Sequence, residues 1–247
     1  EANMARMIAS FPMYFLGDLS AAHRTAKRSF EIGVETWDQE GMAIALYFWE
    51  TSAPHSMPEG ALQFECDRER DDPLSSAAAL QGRGLELLFR EDDPVAASDM
   101  IQRSLELAKQ RGLRNACIFC GVTWRAMALR IVAQRAEEGD SRKRALADAT
   151  RAVRDALRIT RKYLTVRPMA LRERGVIAVL KGNEKEAIRY FERSLAFAKE
   201  QEAAFEYAKT ELALCEAGMQ FEWPDCVQRL AEARQRIEAF KDSASPG

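Results

Sequence analysis

The chain has 247 residues, 47% apolar and 30% charged, with a formal net charge of −2. That balance excludes wholesale disorder, and no apolar stretch reads as the roughly 20 residues that a membrane span requires. Thirteen Gly and eight Pro are few for a fold of many tight turns, while the helix formers Ala, Leu, Glu and Arg dominate, so the expected class is all-α.

The opening stretch, EANMARMIASFPMYF, has neither a basic flank nor a small-residue cleavage site, so it does not read as a signal peptide. Beginning at Glu1, it reads as a piece of a longer protein. From Gly17, GDLSAAHRTAKRSFEIG predicts a helix with Ala22, Ala26, Ser29 and Phe30 on one face; His23 is expected on its surface. Residues 51–76, TSAPHSMPEGALQFECDRERDDPLSS, carry three prolines and an acidic run. They read as an irregular connection or a short distorted helix, with CDRERDD a solvated loop and His55 exposed.

Residues 80–109 predict a helical hairpin in which Gly84 faces Ala97 and Pro94 opens the second helix. CIFC, at 117–120, has the spacing of a redox or zinc pair. Zinc needs two further ligands, however, and His23 and His55 are the chain's only histidines, so Cys117 and Cys120 read as packing residues. An odd total of five cysteines fits a reducing compartment, hence the cytoplasm. Residues 124–160 predict another pair of helices, with Ala145, Ala149, Ala152 and Val153 on the buried side.

The clearest hairpin is ALRERGVIAVLKGNEKEAIRYFERSLAFAKE. Small residues at Gly175 and Ala187 let two antiparallel helices approach, and Phe191 and Leu195 fill the space between them. Gly182 and Asn183 make the turn. RSLAFAKEQE (193–202) echoes RSLELAKQRG (103–112), and a looser copy spans 205–240.

Gly or Ala, Ala, Phe and Ala or Ser at these offsets resemble the tetratricopeptide repeat (TPR), a helix–turn–helix unit of about 34 residues. The resemblance is best over 171–199 and partial over 80–109, 4–33, 124–160 and 205–240. It departs from the standard pattern in its longer units and in having Lys109 and Lys199 where Pro usually closes the unit. What it implies is an α-solenoid of antiparallel helical hairpins, about ten to twelve helices, as a single domain over 1–247. RSLAFAKEQEAAFEYAKTELAL and EWPDCVQRLAEAR resemble in particular the repeat regions of large bacterial signalling proteins that carry a switch-type ATPase with kinase or cyclase domains. In TPR-like arrays the first helix of each unit lines a concave groove. Carried over by position, that groove would be lined by Gln81, Leu85, Leu88, Arg130, Gln134, Arg172, Val176, Val179, Tyr207 and Thr210. The Lys/Asn clamp with which some TPR proteins hold a chain terminus is absent.

No Gly-rich phosphate loop occurs, since GRG (82–84) and GN (182–183) match neither nucleotide pattern. No catalytic, cofactor or metal residues are expected, and the chain does not read as an enzyme. Charge is unevenly spread: residues 111–189 hold 19 Lys and Arg against 8 Asp and Glu, with 17 against 30 elsewhere. Arg151, Arg154, Arg158, Arg161 and Lys162 recur at helical steps along one face, either a solvated outer side or a docking surface for an acidic partner. Few aromatics (Trp124, Tyr163) interleave with them, so nucleic acid, the third reading, has little stacking support. The favoured expectation is a non-catalytic protein-interaction or regulatory scaffold holding a protein, a peptide or a neighbouring domain. The alternative is a sensor whose groove takes a small effector and controls an attached ATPase or kinase.

Overall fold

Several helix starts in this protein are set by short acidic and amide side chains. Asp18, Asp38, Asp72, Asp93 and Asn183 each accept a backbone N–H of the turn they precede, at 2.6 to 3.1 Å. These bonds satisfy donors that no helical carbonyl reaches. Pro73 and Pro94 follow two of the caps, where the missing N–H is no loss.

The computed structural model describes the backbone of residues 2–244 and the side chains of residues 9–240. Over these residues the protein is all-α. The helices are α1 (Ala2–Leu16), α2 (Leu19–Thr36), α3 (Gln39–Ser52), α4 (Ala61–Asp67), α5 (Pro73–Phe89), α6 (Pro94–Gln110), α7 (Ala116–Phe119), α8 (Gly121–Arg135), α9 (Asp140–Ile159), α10 (Arg167–Leu180), α11 (Glu184–Glu200), α12 (Ala204–Gln220) and α13 (Cys226–Ala244). A 3-10 turn, Leu164–Val166, leads into α10. The helices pack as two compact units, one centred on residues 18–125 and the other on 126–242. The division falls inside α8, between Arg125 and Ala126.

In the first unit α2 packs on α3, α3 on α5 and α5 on α6. Covered by α2 and α5, α3 is buried from Gly41 to Ser52, Glu50 included. His23, expected on the surface, is buried because α2 turns it inward: its ring lies 5.6 Å from that of Trp49, and Nε2 is 3.5 Å from Ser56 Oγ. His55 is exposed in the loop after α3. The 51–76 stretch holds the end of α3, that loop and the short α4. Its charged run is not simply solvated. Glu65 is buried, Arg70 pairs with it at 2.5 Å and Arg68 at 3.1 Å, while Asp67, Glu69 and Asp71 face outward.

In the second unit α10 packs on α11 and on α9, and α12 packs on both α10 and α11. Phe191 and Ala187 of α11 meet Ala178 and Val179 of α10, with Ala217 of α12 closing the cluster. Gly175 makes that approach possible, because a Cβ would stand 2.7 Å from the Phe191 ring and force it to shift. Gly84 plays the same part in the first unit, where a Cβ would stand 2.5 Å from Ile101. The α10–α11 turn closes with Gly182 at φ 68° and Asn183 N–H donating to Ala178 O at 2.9 Å, a left-handed helix end.

The echoed segments acquire a common structural meaning. Ser104 donates to Ala77 O and Ser194 to Pro168 O, each at 2.7 Å, each hydroxyl fastening the second helix of a hairpin to the first. Both serines are fully buried, as are Ala108 and Ala198 one turn later.

One window, Ala116–Arg135, is apolar and long enough to cross a membrane by length and composition, and half of it is buried inside the protein. Ile118, Val122, Trp124, Ala126 and Ala128 are among its buried side chains. Trp124 meets Phe89 edge-on at 5.9 Å.

Candidate functional site: an arginine-lined pocket

The buried face of α9 is made of small residues, Ala149, Ala152, Val153 and Ala156. Helical periodicity therefore sends Arg151, Arg154 and Arg158 to the opposite side, where all three are exposed. After α9 ends, Thr160 turns inward and Arg161 outward. The chain then re-enters as α10 with Arg167 in its first turn, ahead of Pro168. Packed on α10, α11 contributes Tyr190 and Arg193.

Together these side chains surround an open pocket of about 410 Å³ lined by Arg154, Asp155, Leu157, Arg158, Arg161, Arg167, Leu171, Tyr190 and Arg193. Five of its nine lining residues are arginines and one is acidic. That carboxylate, Asp155, pairs with Arg158 at 3.2 Å. Arg154, Arg161, Arg167 and Arg193 have no carboxylate within ion-pairing distance among the described residues. Leu157 and Leu171 supply the apolar part of the wall.

Arg167 is the most constrained of the set. Its guanidinium stacks over Phe197, 4.9 Å from the ring centre, and its Nε is buried without a hydrogen-bond partner in the protein. Burial, followed by the nearby charges of Arg193 and Arg161, holds its pKa below the usual arginine value. Like charges and partial desolvation both disfavour the cation, so the pocket concentrates positive charge that the fold leaves uncompensated. Arg193 in turn lies 5.7 Å from the centre of the Tyr190 ring, which Arg174 and Arg189 also approach, at 5.5 and 4.9 Å.

Of the basic face read from the sequence, Arg154, Arg158 and Arg161 line this pocket. Arg151 pairs with Asp148 at 3.4 Å outside it, and Lys162 is exposed. Arg167, Tyr190 and Arg193 were missed, because they come from different helices and no local pattern links them to α9.

The expected groove is dispersed. Gln81, Leu85, Leu88, Arg172, Val179 and Thr210 are buried, each 6% exposed or less. The physical reason is a further layer of helix: α3 lies against α5, and α12 against α10, covering faces that repeat position alone left open. Gln81 donates to Tyr47 Oη at 3.0 Å and Cys117 O at 3.3 Å. Arg172 pairs with buried Glu206, whose other oxygen takes Lys209. Burial alone would raise the Glu206 pKa, but Arg172 and Lys209 outweigh it and hold the carboxyl well below its usual range. Thr210 donates to Glu206 O at 2.9 Å. Arg130 donates to Glu173 at 3.0 Å and to Gln134 at 3.1 Å, and Gln134 itself is exposed. Val176 packs half-buried against the Phe191 cluster. Tyr207 lines a smaller cavity of about 240 Å³ with Leu195, Cys215, Arg229 and Arg236, the last paired with Glu211.

The other chemically distinctive side chains lie wholly or partly inside the protein. Cys117 is pushed up to about 11 by burial, and burial raises Cys120 as well. Glu50, fully buried on α3 with neither oxygen hydrogen-bonded, is pushed up to about 8 by burial and by Glu86, against a smaller pull from Arg90. No protein-family model matches the chain, and no curated protein does.

Proposed function

We propose that this protein is a non-catalytic binding module, a TPR-like array of helical hairpins that acts as an interaction or regulatory scaffold and docks an anionic segment of a protein partner or neighbouring domain. The observation that carries this reading is the arginine pocket, where four guanidiniums converge without carboxylate partners. A scaffold that needed only solubility would intersperse charges of both signs. Concentrated positive charge on a concave surface instead steers and holds an anionic group. The hairpins with matched Ser104 and Ser194 fastenings support the repeat reading. The binding place moves from the concave groove to the α9–α11 pocket.

Nucleic acid fits less well. The one aromatic ring in the pocket, Tyr190, is already approached by three guanidiniums, which compete with a base for it.

The test is affinity capture with the whole chain, comparing wild type with Arg158→Glu/Arg193→Glu. Captured partners are expected to be lost from the variant, and lost from wild type as salt is raised from about 50 mM to 500 mM, where screening shortens the reach of exposed charge. Capture indifferent to both would defeat the reading.

A further inference from the structure

We infer that the arginine pocket is built for a phosphoryl group, either a phosphate monoester or a short run of linked phosphates, in preference to carboxylates. The inference rests on the binding-module reading and narrows it to a ligand chemistry.

Three features separate the two kinds of anion. The first is residue type: every basic side chain lining the pocket is arginine, although Lys162 and Lys181 are close in sequence. A guanidinium offers a planar fork that grips two oxygens at once, whereas an ammonium acts as a point charge. The second is direction. The forks approach from the outer side of α9 (Arg154, Arg158), from the turn after it (Arg161), from the start of α10 (Arg167) and from α11 (Arg193). A carboxylate presents two oxygens in one plane and serves one such fork well. A tetrahedral phosphate presents three oxygens facing different ways and can serve three.

The third is charge density. With Asp155 taken by Arg158, four cations remain to be balanced within about 410 Å³. A phosphate monoester brings close to two negative charges on one atom centre, and linked phosphates bring more in the same space. Four separate carboxylates with their backbones would have to crowd into a volume at the small end for a ligand site. Arg167 adds a supported element: it lies over Phe197, and its Nε is already buried and unpartnered before any ligand arrives. Such pre-ordering favours a small, dense anion, because the cost of arranging the site is already met within the fold.

The phosphoryl group has two natural sources, a phosphorylated small molecule and a phosphorylated side chain of a partner protein. Calorimetric titration of the whole chain at one fixed ionic strength separates them. The probes are inorganic tripolyphosphate, a phosphoserine peptide, its Glu-substituted counterpart and a tetraglutamate peptide. Tripolyphosphate, the phosphoserine peptide or both are expected to bind at least about tenfold more tightly than the carboxylate probes, and whichever leads identifies the source. Arg154→Gln/Arg161→Gln, both exposed positions with little bearing on folding, should weaken that binding about tenfold or more, as should Arg167→Gln/Arg193→Gln. Arg151→Gln, on the same helix but outside the pocket, should leave it unchanged. Carboxylate probes binding as tightly as the phosphates would overturn the phosphoryl assignment and leave the acidic-partner reading standing. Saturable binding by none of the four would overturn both.

Discussion

Two buried carboxyls in this protein sit in opposite electrostatic surroundings, and they tilt its stability against pH in opposite directions. Glu50 is fully enclosed without a hydrogen-bond partner, and its folded value of about 8 lies above the ordinary 4.5. Below pH 4.5 both folded and unfolded chains carry the proton. As pH rises from there the unfolded chain ionises first, so folding loses stability until about pH 8, on the order of 4 kcal/mol from this group. Glu50→Gln nearly keeps the shape and removes the ionisation. Chemical denaturation at pH 5 and pH 8 is expected to show wild type losing several kcal/mol between the two, and the variant losing much less. Equal slopes would contradict this account of Glu50.

Glu206 works in the other sense. Its folded pKa is depressed by Arg172 and Lys209, so its contribution is present above the ordinary carboxylate value and lost as pH falls below it. Glu206→Gln removes the nearer carboxylate of buried Arg172 and leaves it only the more distant Glu173, at 3.9 Å, so a loss of about 2 to 4 kcal/mol at pH 7 is expected. The loss should shrink in acid, where the wild-type carboxylate is itself protonated; a loss independent of pH would mean that packing, and not charge, is what Glu206 supplies.

At the scale of elements, the hairpin is a close approach between helices made possible by glycine and filled by one large side chain. Gly175→Ala would drive a methyl into the Phe191 ring and should cost about 1 to 3 kcal/mol. Phe191→Leu alone should also destabilise. In the double variant the ring edge that the methyl meets is gone, so the combined loss should be smaller than the two single losses added together. Simple additivity in thermal unfolding would contradict the contact. These hairpins were legible in the sequence because Gly175, Ala187, Phe191 and Ser194 act within one pair of helices joined by a short turn. The inward His23 and the covering of Gln81 and Arg172 were not legible, since both depend on which helices from elsewhere pack on that face. Arg193 makes the same point. Its echo, Arg103, is exposed as Arg193 is, so the shared RSL motif marks a fastening and by itself says nothing of a site.

At the scale of the whole molecule, a chain of formal charge −2 keeps its positive excess over residues 111–189, and that excess reaches the second unit's pocket from α9, the turn after it and α10, with Arg193 of α11 joining it from just beyond that stretch. The α9 part of the pocket was readable as a run of arginines. Arg167 and Arg193 required the fold, which returns them to the run through two further helices. The central claim is that these guanidiniums form one anion site and not a set of separately solvated charges. Arginine Nε–Hε signals followed by heteronuclear NMR during titration with inorganic tripolyphosphate test it most directly. The account predicts that Arg154, Arg161, Arg167 and Arg193 shift together and saturate at one common concentration, with Arg151 unmoved. Small, unsaturating shifts spread evenly over all exposed arginines would contradict it.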